Sequence, residues 1–317
     1  MNLSYYKPSG KLSAMFFVYF LLFLAVGIPV LSVLYIYLIH FIPIVYANLL
    51  VTGLCGAALG FLAAFAAKFG KARNPLIIYL FTFLGVVVMK YVQWAVYIPL
   101  IFSRVYGLAP MTFAERFVES FYLLGNPEGM FILAQFINGV GVWSFSIGTT
   151  DTGTVVNGVM LLIVWILEFI LLGGVALLVA STRAGFPFSE EAGAWYTESK
   201  QSVELDVPEH FDTLRQDMEG GSFSRLIEHI RRGKTDPFRF LRLTIYQPPE
   251  GALSEPYFMT VSQHTTTHTG GKRPKEQNKS EELVRRIAVP RHTMGEITAP
   301  VEPPVPQETV AQEEEAE

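Results

Sequence analysis

Four long apolar runs, all of them before Arg183, constrain this chain more than any other feature of its sequence. They cover residues 14–39, 44–67, 75–102 and 155–181. A helix needs about 20 mostly apolar residues to cross a hydrocarbon core that is roughly 30 Å thick. Inside lipid, a helix of this length satisfies its own backbone hydrogen bonds. The pattern therefore predicts an all-α transmembrane bundle of four spanning helices within residues 1–182.

The first apolar run follows a polar segment that carries Lys7 and Lys11, as the apolar region of a signal peptide would. The run is roughly twice the 7–15 residues of a signal peptide, and no Ala-x-Ala cleavage site ends it. We therefore expect it to be a retained spanning helix. Pro29 removes a backbone donor within this run and predicts a kink there.

Basic residues in the short connections predict the orientation of the bundle. Lys7 and Lys11 precede the first span, and Lys68, Lys71 and Arg73 lie between the second and third spans. The connection between the first two spans has no Lys or Arg. Since cytoplasmic loops are enriched in these residues, we expect both termini to be cytoplasmic. The compact pattern favours a bacterial inner (plasma) membrane.

The third connection, residues 103–154, contains two apolar pieces that are too short to span. Phe113, Phe117 and Phe121 recur at helical spacing, with charged residues elsewhere on the wheel, and this predicts an amphipathic helix. A second apolar piece covers residues 130–143. We expect helices that lie at the outer membrane interface. A re-entrant or gating segment is the alternative.

Small residues recur on one face of the second span. Gly56, Gly60 and Ala64 are spaced by four, a pattern that lets helix backbones approach closely in lipid. Packing within the chain is the favoured interpretation, and a homo-oligomer seam is the alternative.

Lys90 and Glu168 are the two strongly charged residues in the interiors of the four runs. Lys90 lies roughly four helical turns after Pro75, and Glu168 lies roughly four turns before Ser181. With a rise of about 1.5 Å per residue, both lie roughly 20 Å from the same end of two antiparallel helices. An unpaired charge at the centre of a bilayer costs about 2.5–3.5 kcal/mol on insertion scales. The two side chains are therefore predicted to form an intramembrane ion pair.

Polar and aromatic side chains flank this pair. Gln93 and Tyr97 continue the face of Lys90, and Trp165 precedes Glu168 by one turn. In a structural interpretation, the pair fixes which helices are neighbours and in which register. In a functional one, it lines a path for an ion, a proton or a small polar solute. No helix is visibly broken and no inverted repeat is visible, which favours the structural interpretation.

The composition changes after Thr182. Up to this residue the chain holds 8 Lys/Arg and 5 Asp/Glu, whereas the remainder holds 16 and 23. Residues 183–207 are predicted to be a juxtamembrane linker. Within them, Phe-Ser-Glu-Glu-Ala-Gly-Ala-Trp (188–195) resembles the junction of some uncharacterised bacterial four-span membrane proteins of unknown function, which reads Phe-Cys-Glu-x-Cys-x-x-Trp. Ser189 and Ala192 stand at the two Cys positions, so the resemblance implies a layout and no metal site.

Residues 208–297 predict a small cytoplasmic α+β domain. Helices are expected at 208–218 and 222–232, and a β-hairpin at 238–247 and 257–267. A third helix is expected at 280–287 because its start fits a capping box, with a strand near 292–297. The Pro- and Glu-rich residues 298–317 predict a disordered tail.

Catalytic, metal and cofactor motifs are not found in the sequence. Cys55 is the single cysteine, which excludes an intrachain disulfide and a Cys-based metal site. His264 and His268 would lie about 13 Å apart along a strand, too far for one ion. No phosphate loop, nucleophile elbow or His-Glu-x-x-His pair occurs. Residues 183–295 hold 16 bases and 16 acids, which argues against a nucleic-acid partner.

Two functions follow from these features as hypotheses. The leading one is a non-enzymatic anchor or scaffold in the lipid bilayer that presents a cytoplasmic domain to a protein partner. The alternative is a small oligomeric transporter or channel that works through Lys90 and Glu168. A membrane-embedded enzyme ranks third, since no second acid or nucleophile is near the charged pair. We expect no cofactor.

The topology can be tested by cysteine labelling from outside intact cells. The loop charges predict that a membrane-impermeant maleimide reaches a cysteine placed at Thr150 and does not reach one placed at Gly270. The reverse labelling pattern would contradict the predicted orientation.

Overall fold

The computed structural model describes residues 5–42, 45–106, 109–141, 143–145, 154–200, 202–269 and 275–299. The chain divides into two compact units. One comprises Pro8–Phe186, and the other combines Met1–Lys7 with Pro187–Glu317. Nearly all of the predicted tail lies outside the described residues.

The unit Pro8–Phe186 has four helices that are long and apolar enough to cross a membrane, as predicted. They cover Ala14–Phe41, Ala47–Phe69, Pro75–Phe102 and Gly158–Ser181. In chain order the elements are α1 (Ala14–Leu22), a π-helical segment (Phe23–Gly27), α2 (Ile28–Phe41), α3 (Val45–Phe69), α4 (Pro75–Tyr106), α5 (Phe113–Gly125), α6 (Pro127–Val140), β1 (Trp143–Phe145), β2 (Thr154–Val156) and α7 (Gly158–Ser181). The antiparallel pair β1–β2 is an addition that the all-α prediction does not contain.

The first span is continuous through its proline. A π-helical segment, Phe23–Gly27, lies immediately before the turn that holds Pro29. Pro29 has no N–H to donate, and its ring would collide with the carbonyl group four residues earlier in a regular α-helix. A wider π turn at this point moves that carbonyl group away, which is how such bulges are commonly used.

α3 and α7 pack closely because glycines on α3 face carbonyl groups on α7. A Cβ atom on Gly56 would lie 2.6 Å from the Leu172 carbonyl oxygen, and one on Gly60 would lie 2.5 Å from that of Ala176. Both helices advance by four residues in the same direction, so they run parallel. Ala64, the next residue of the repeat, is 7% exposed. The small residues therefore serve packing within one chain.

α5 and α6 form a helical hairpin against α4. Thr112 begins α5 with a capping box, in which its backbone N–H donates to Glu115 at 2.7 Å. Asn126 ends α5 and caps α6 by accepting from the Gly129 N–H at 3.0 Å. Tyr91 of α4 donates to the Leu124 carbonyl at 2.8 Å. The two predicted helices are present, and their location at an interface stays a prediction.

The second unit is an antiparallel sheet with helices packed against it. Its elements are β3 (Phe188–Ser189), β4 (Ala194–Trp195), β5 (Thr197–Glu198), β6 (Val203–Asp206), α8 (Phe211–Glu219), α9 (Ser224–Arg232), β7 (Arg239–Gln247), β8 (Tyr257–Thr269), β9 (Lys275–Val289) and α10 (Arg291–Ile297). β5 and β6 pair with β7, and β7, β8 and β9 follow in order. Core residues of all three helices contact those of the sheet.

Three sequence predictions for this unit are wrong. The presumed linker, residues 183–207, contains the short strands β3 to β6. Residues 280–287 are part of β9 and not a helix, because pairing with β8 outweighs a local capping signal. Residues 292–297 belong to α10 and not to a strand. Thr293, Met294 and Ile297 are buried at helical spacing, and this spacing could have identified the helix.

The junction that carries the family resemblance is a tight β-hairpin. Ser189 is fully buried, and its Oγ accepts a hydrogen bond from the Ala192 N–H at 2.9 Å. Tyr196 is also buried, and its hydroxyl donates to Glu255 at 3.0 Å. Burial, followed by the charge of Glu255, raises the pKa of Tyr196. The segment is thus a packed part of the unit.

N-terminal residues complete this unit. Tyr5 pairs antiparallel with Ile287 at the outer edge of β9, and the Tyr6 N–H donates to the Arg286 carbonyl at 2.9 Å. The Tyr6 hydroxyl accepts from the Phe188 N–H at 3.1 Å. Residues before the first span therefore share a sheet with residues after the last one. This arrangement fits the even number of helices that are long and apolar enough to cross a membrane.

The packing of α3 on α7 generates a prediction with an internal control. Replacing Gly60 with alanine should destabilise the protein by about 1–3 kcal/mol, because the new Cβ would overlap backbone and Val179 atoms. Gly53→Ala on the same helix should be neutral or stabilising, since no atom lies within 4 Å of its Cβ position. Thermal unfolding in detergent measures both changes. Equal shifts for the two variants would contradict the proposed contact.

Candidate functional site

Each of the four spans contributes a polar side chain to one cluster. The members are Tyr35 of α2, Thr52 of α3, Lys90 of α4 and Glu168 of α7. Tyr35 and Thr52 are almost completely buried, at 1% and 2% exposure. The cluster joins all four helices at one level of the bundle.

The predicted charged residues are in contact. Lys90 Nζ lies 2.8 Å from Glu168 Oε1, and the side chains are 17% and 23% exposed. The Tyr35 hydroxyl donates to the same carboxylate oxygen. Glu168 Oε1 thus accepts from an ammonium and a phenol. Such charge-assisted hydrogen bonds are roughly twice as strong as neutral ones.

Helix packing explains why these groups meet. Thr52 lies one turn before Gly56 on α3, and Glu168 lies one turn before Leu172 on α7. Since Gly56 packs on Leu172, the same parallel register brings Thr52 to the level of Glu168. The Tyr35 hydroxyl, 3.1 Å from Thr52 Oγ1, connects the two.

Other contacts position the side chains of the cluster. Thr52 Oγ1 donates to the Asn48 carbonyl at 2.8 Å, within its own helix. Ser32, fully buried on α2, donates to the Met89 carbonyl on α4 at 3.4 Å. Lys90 Nζ lies 6.0 Å from the centre of the Tyr35 ring, which adds a weak cation–π attraction.

The flanking residues divide into two groups. Trp165 meets Trp94 edge to face at 4.7 Å between ring centres, and Tyr97 meets the same Trp94 at 5.9 Å. The two tryptophans lie one turn from the ion pair, and Tyr97 lies two turns from Lys90. Gln93 is 2% exposed, and neither amide atom has a hydrogen-bond partner among the described residues.

Tyr35 was not among the predicted site residues, although the structure places it at the centre of the cluster. A tyrosine within an apolar span was a signal, because a buried phenol needs a hydrogen-bond partner. This signal is weaker than that of a charge, since tyrosine is also common at lipid interfaces. In the described parts of the chain, no three His, Cys, Asp or Glu side chains form a group that could hold a metal ion.

The arrangement can hold opposite charges in fixed positions. The pair is formally neutral, and each charge has a partner of opposite sign. Breaking one side of a buried pair typically costs about 3–5 kcal/mol, whereas replacing both sides can be nearly neutral. The geometry thus suits an ion pair that selects which helices are neighbours and in which register they pack.

A double-mutant cycle tests the pair. Lys90→Met should lower stability by about 3–5 kcal/mol because it leaves a carboxylate without its cation, and Glu168→Gln should do the same to the ammonium. The combined variant should recover most of the loss, since glutamine still accepts from Tyr35. Thermal unfolding and membrane yield are the measurements.

The surface pair Arg232–Glu228 provides the control for this cycle. It is an i,i+4 pair with both side chains more than half exposed. Arg232→Met should therefore change stability by about 0.5 kcal/mol or less. Additive losses for the Lys90 and Glu168 variants would contradict a coupled pair.

Comparisons with protein-family models, with curated proteins and with solved structures found no match to this chain.

Proposed function

We propose that this protein is a non-enzymatic membrane anchor that presents its sheet unit to a protein partner. One observation carries the proposal: the sheet unit contains residues from both sides of the bundle sequence. Tyr5 and Tyr6 enter it from the N-terminal side, and Pro187 onward from the C-terminal side. The unit is therefore attached to the spans by two peptide connections. Two attachments restrict the rotation of a domain more than a single attachment does.

The intramembrane cluster supports an anchoring role. Glu168 is held by Lys90 and Tyr35 from two different helices, so its charge has fixed partners. A transported ion or proton needs ligands that exchange partners during each cycle. Fixed ligands suit a bundle that keeps one arrangement.

The proposed orientation places both termini and the sheet unit in the cytoplasm of a bacterial cell, with the spans in the inner membrane. Support comes from the basic residues near one end of the bundle, Lys11, Lys68, Lys71, Arg73 and Arg183. Cytoplasmic flanks of spans are enriched in such residues.

Two exposed apolar side chains are the proposed contact positions for the partner. In the described part of the sheet unit, Phe238 and Leu253 are the large apolar residues that are widely exposed, at 50% and 77%. Burying such side chains is favourable by about 25 cal/mol per Å². They are therefore the first positions at which to look for a partner.

A small transporter or channel is the second candidate. Gln93 favours it, because a buried amide that has no partner among the described residues lies one turn from Lys90. In this role Lys90 and Glu168 would contact the solute, and an oligomer would supply the remaining path.

Site-specific photo-crosslinking in the native host distinguishes the two candidates. A photoreactive phenylalanine analogue at Phe238 or Leu253 should give discrete protein adducts. The same analogue at Leu178, 70% exposed on α7, should give lipid adducts. A variant with both Lys90 and Glu168 replaced should keep the protein adducts.

A parallel measurement uses purified protein in lipid vesicles. The anchor proposal predicts no proton, sodium or potassium flux above that of empty vesicles. Flux that disappears in Lys90→Met, together with an absence of protein adducts from both sheet positions, would replace the anchor with the transporter.

A further inference from the structure

Gln93 has the least satisfied buried side chain in the described part of the bundle. Its exposure is 2%, yet both its Nε2 and Oε1 atoms lack a hydrogen-bond partner among the described residues. Moving an amide from water to apolar surroundings without new hydrogen bonds is strongly unfavourable. Buried polar groups in folded proteins are bonded to protein or to ordered water.

The position of Gln93 on α4 directs its side chain toward the bundle axis. Val86, on the same helix, meets Gly173 of α7, and the Met89 carbonyl accepts from Ser32 of α2. On a helical wheel Gln93 falls between the α7-facing position Val86 and the α2-facing position Met89. It therefore points between the two neighbouring helices and not toward lipid, as its burial also requires.

Gln93 lies just beyond the ion pair. It follows Lys90 by three residues, about 4.5 Å along the helix axis. A lysine ammonium reaches farther than this from its own Cα atom. The two residues therefore lie within one turn of the same helix, close enough in height for one small molecule to lie near both side chains.

The hydrogen-bonding capacity of the cluster is only partly used. Lys90 has three N–H donors, and one of them donates to Glu168 Oε1. Tyr35 donates to that same oxygen, so Glu168 Oε2 accepts from no described residue. Asn48 Oδ1, one turn beyond Thr52 on α3, is a buried acceptor without a partner in the described structure.

We propose that Gln93, Lys90, Glu168 and Asn48 line a site for a bound water molecule. The unmatched groups include donors on Lys90 and Gln93 and acceptors on Glu168, Gln93 and Asn48. Water both donates and accepts, so it can match several of them at once. The charges of Lys90 and Glu168 cancel, so a neutral molecule fits better than an ion.

Nuclear magnetic resonance of the full-length protein in lipid bilayers tests the site. With ¹⁵N-labelled glutamine, the Gln93 amide signal is assigned by its loss in Gln93→Met. Magnetisation from water protons should reach this amide at short mixing times although the side chain is buried. The exposed Gln216 provides the reference for contact with bulk water.

Thermal unfolding of Gln93→Met gives a second measurement. If the amide binds water, the apolar replacement should lower the unfolding midpoint by about 2–4 °C, because the water and Lys90 lose a hydrogen-bond partner. If the amide is dry, removing it should raise the midpoint. A raised midpoint, or a Gln93 amide that receives no magnetisation from water, would overturn the proposal.

Thr82→Val is the matched control. Thr82 is fully buried on the same helix, and its hydroxyl already donates to the Ile78 carbonyl at 2.7 Å. Its removal should leave the transfer from water to Gln93 unchanged. A loss of that transfer in Thr82→Val would place the water elsewhere in the bundle and refute the assignment to Gln93.

Discussion

The contact between Lys90 and Glu168 is the interaction on which the membrane half of this protein depends. A lone charge at this depth costs about 2.5–3.5 kcal/mol on insertion scales, so neither residue is tolerable without the other. Their 2.8 Å contact fixes α4 beside α7 at one register. Tyr35 donates to the same carboxylate and adds α2 to the arrangement. On the structural interpretation of the pair, a requirement for electrical neutrality selects which helices are neighbours.

Close packing and electrostatics support each other in this bundle. In lipid the apolar surfaces of different helices are nearly equivalent, so shape and polar contacts select the partner of each helix. Gly56 and Gly60 let α3 approach the backbone of α7, and this register places Thr52 at the level of Glu168. A larger residue at either glycine would push α3 away from α7 and weaken the connection that Tyr35 makes between Thr52 and Glu168. The small residues and the polar cluster therefore stabilise the same arrangement of helices.

Counting residues from the ends of the spans predicted the ion pair. An α-helix has a fixed rise per residue, and all membrane spans begin and end at the same two membrane surfaces. The number of apolar residues needed to cross a bilayer predicted the four spans to within a few residues. Tyr35 was missed because a phenol is compatible with both lipid interfaces and buried sites. Part of β9 was predicted as a helix and α10 as a strand. Short local signals compete with long-range strand pairing, which one sequence does not reveal. The addition of Tyr5 to β9 had no local signal at all.

The N-terminal segment at Tyr5 and Tyr6 links membrane topology to the fold of the sheet unit. β9 is an edge strand, and an open edge exposes unpaired backbone groups to other chains. Tyr5 and Tyr6 cover part of this edge and can reach it when the first and last spans begin and end on one side. A bundle inserted with an odd number of crossings would leave Tyr5 and Tyr6 on the opposite side of the membrane from the rest of the sheet. An even number of crossings therefore lets both peptide connections reach the one sheet unit.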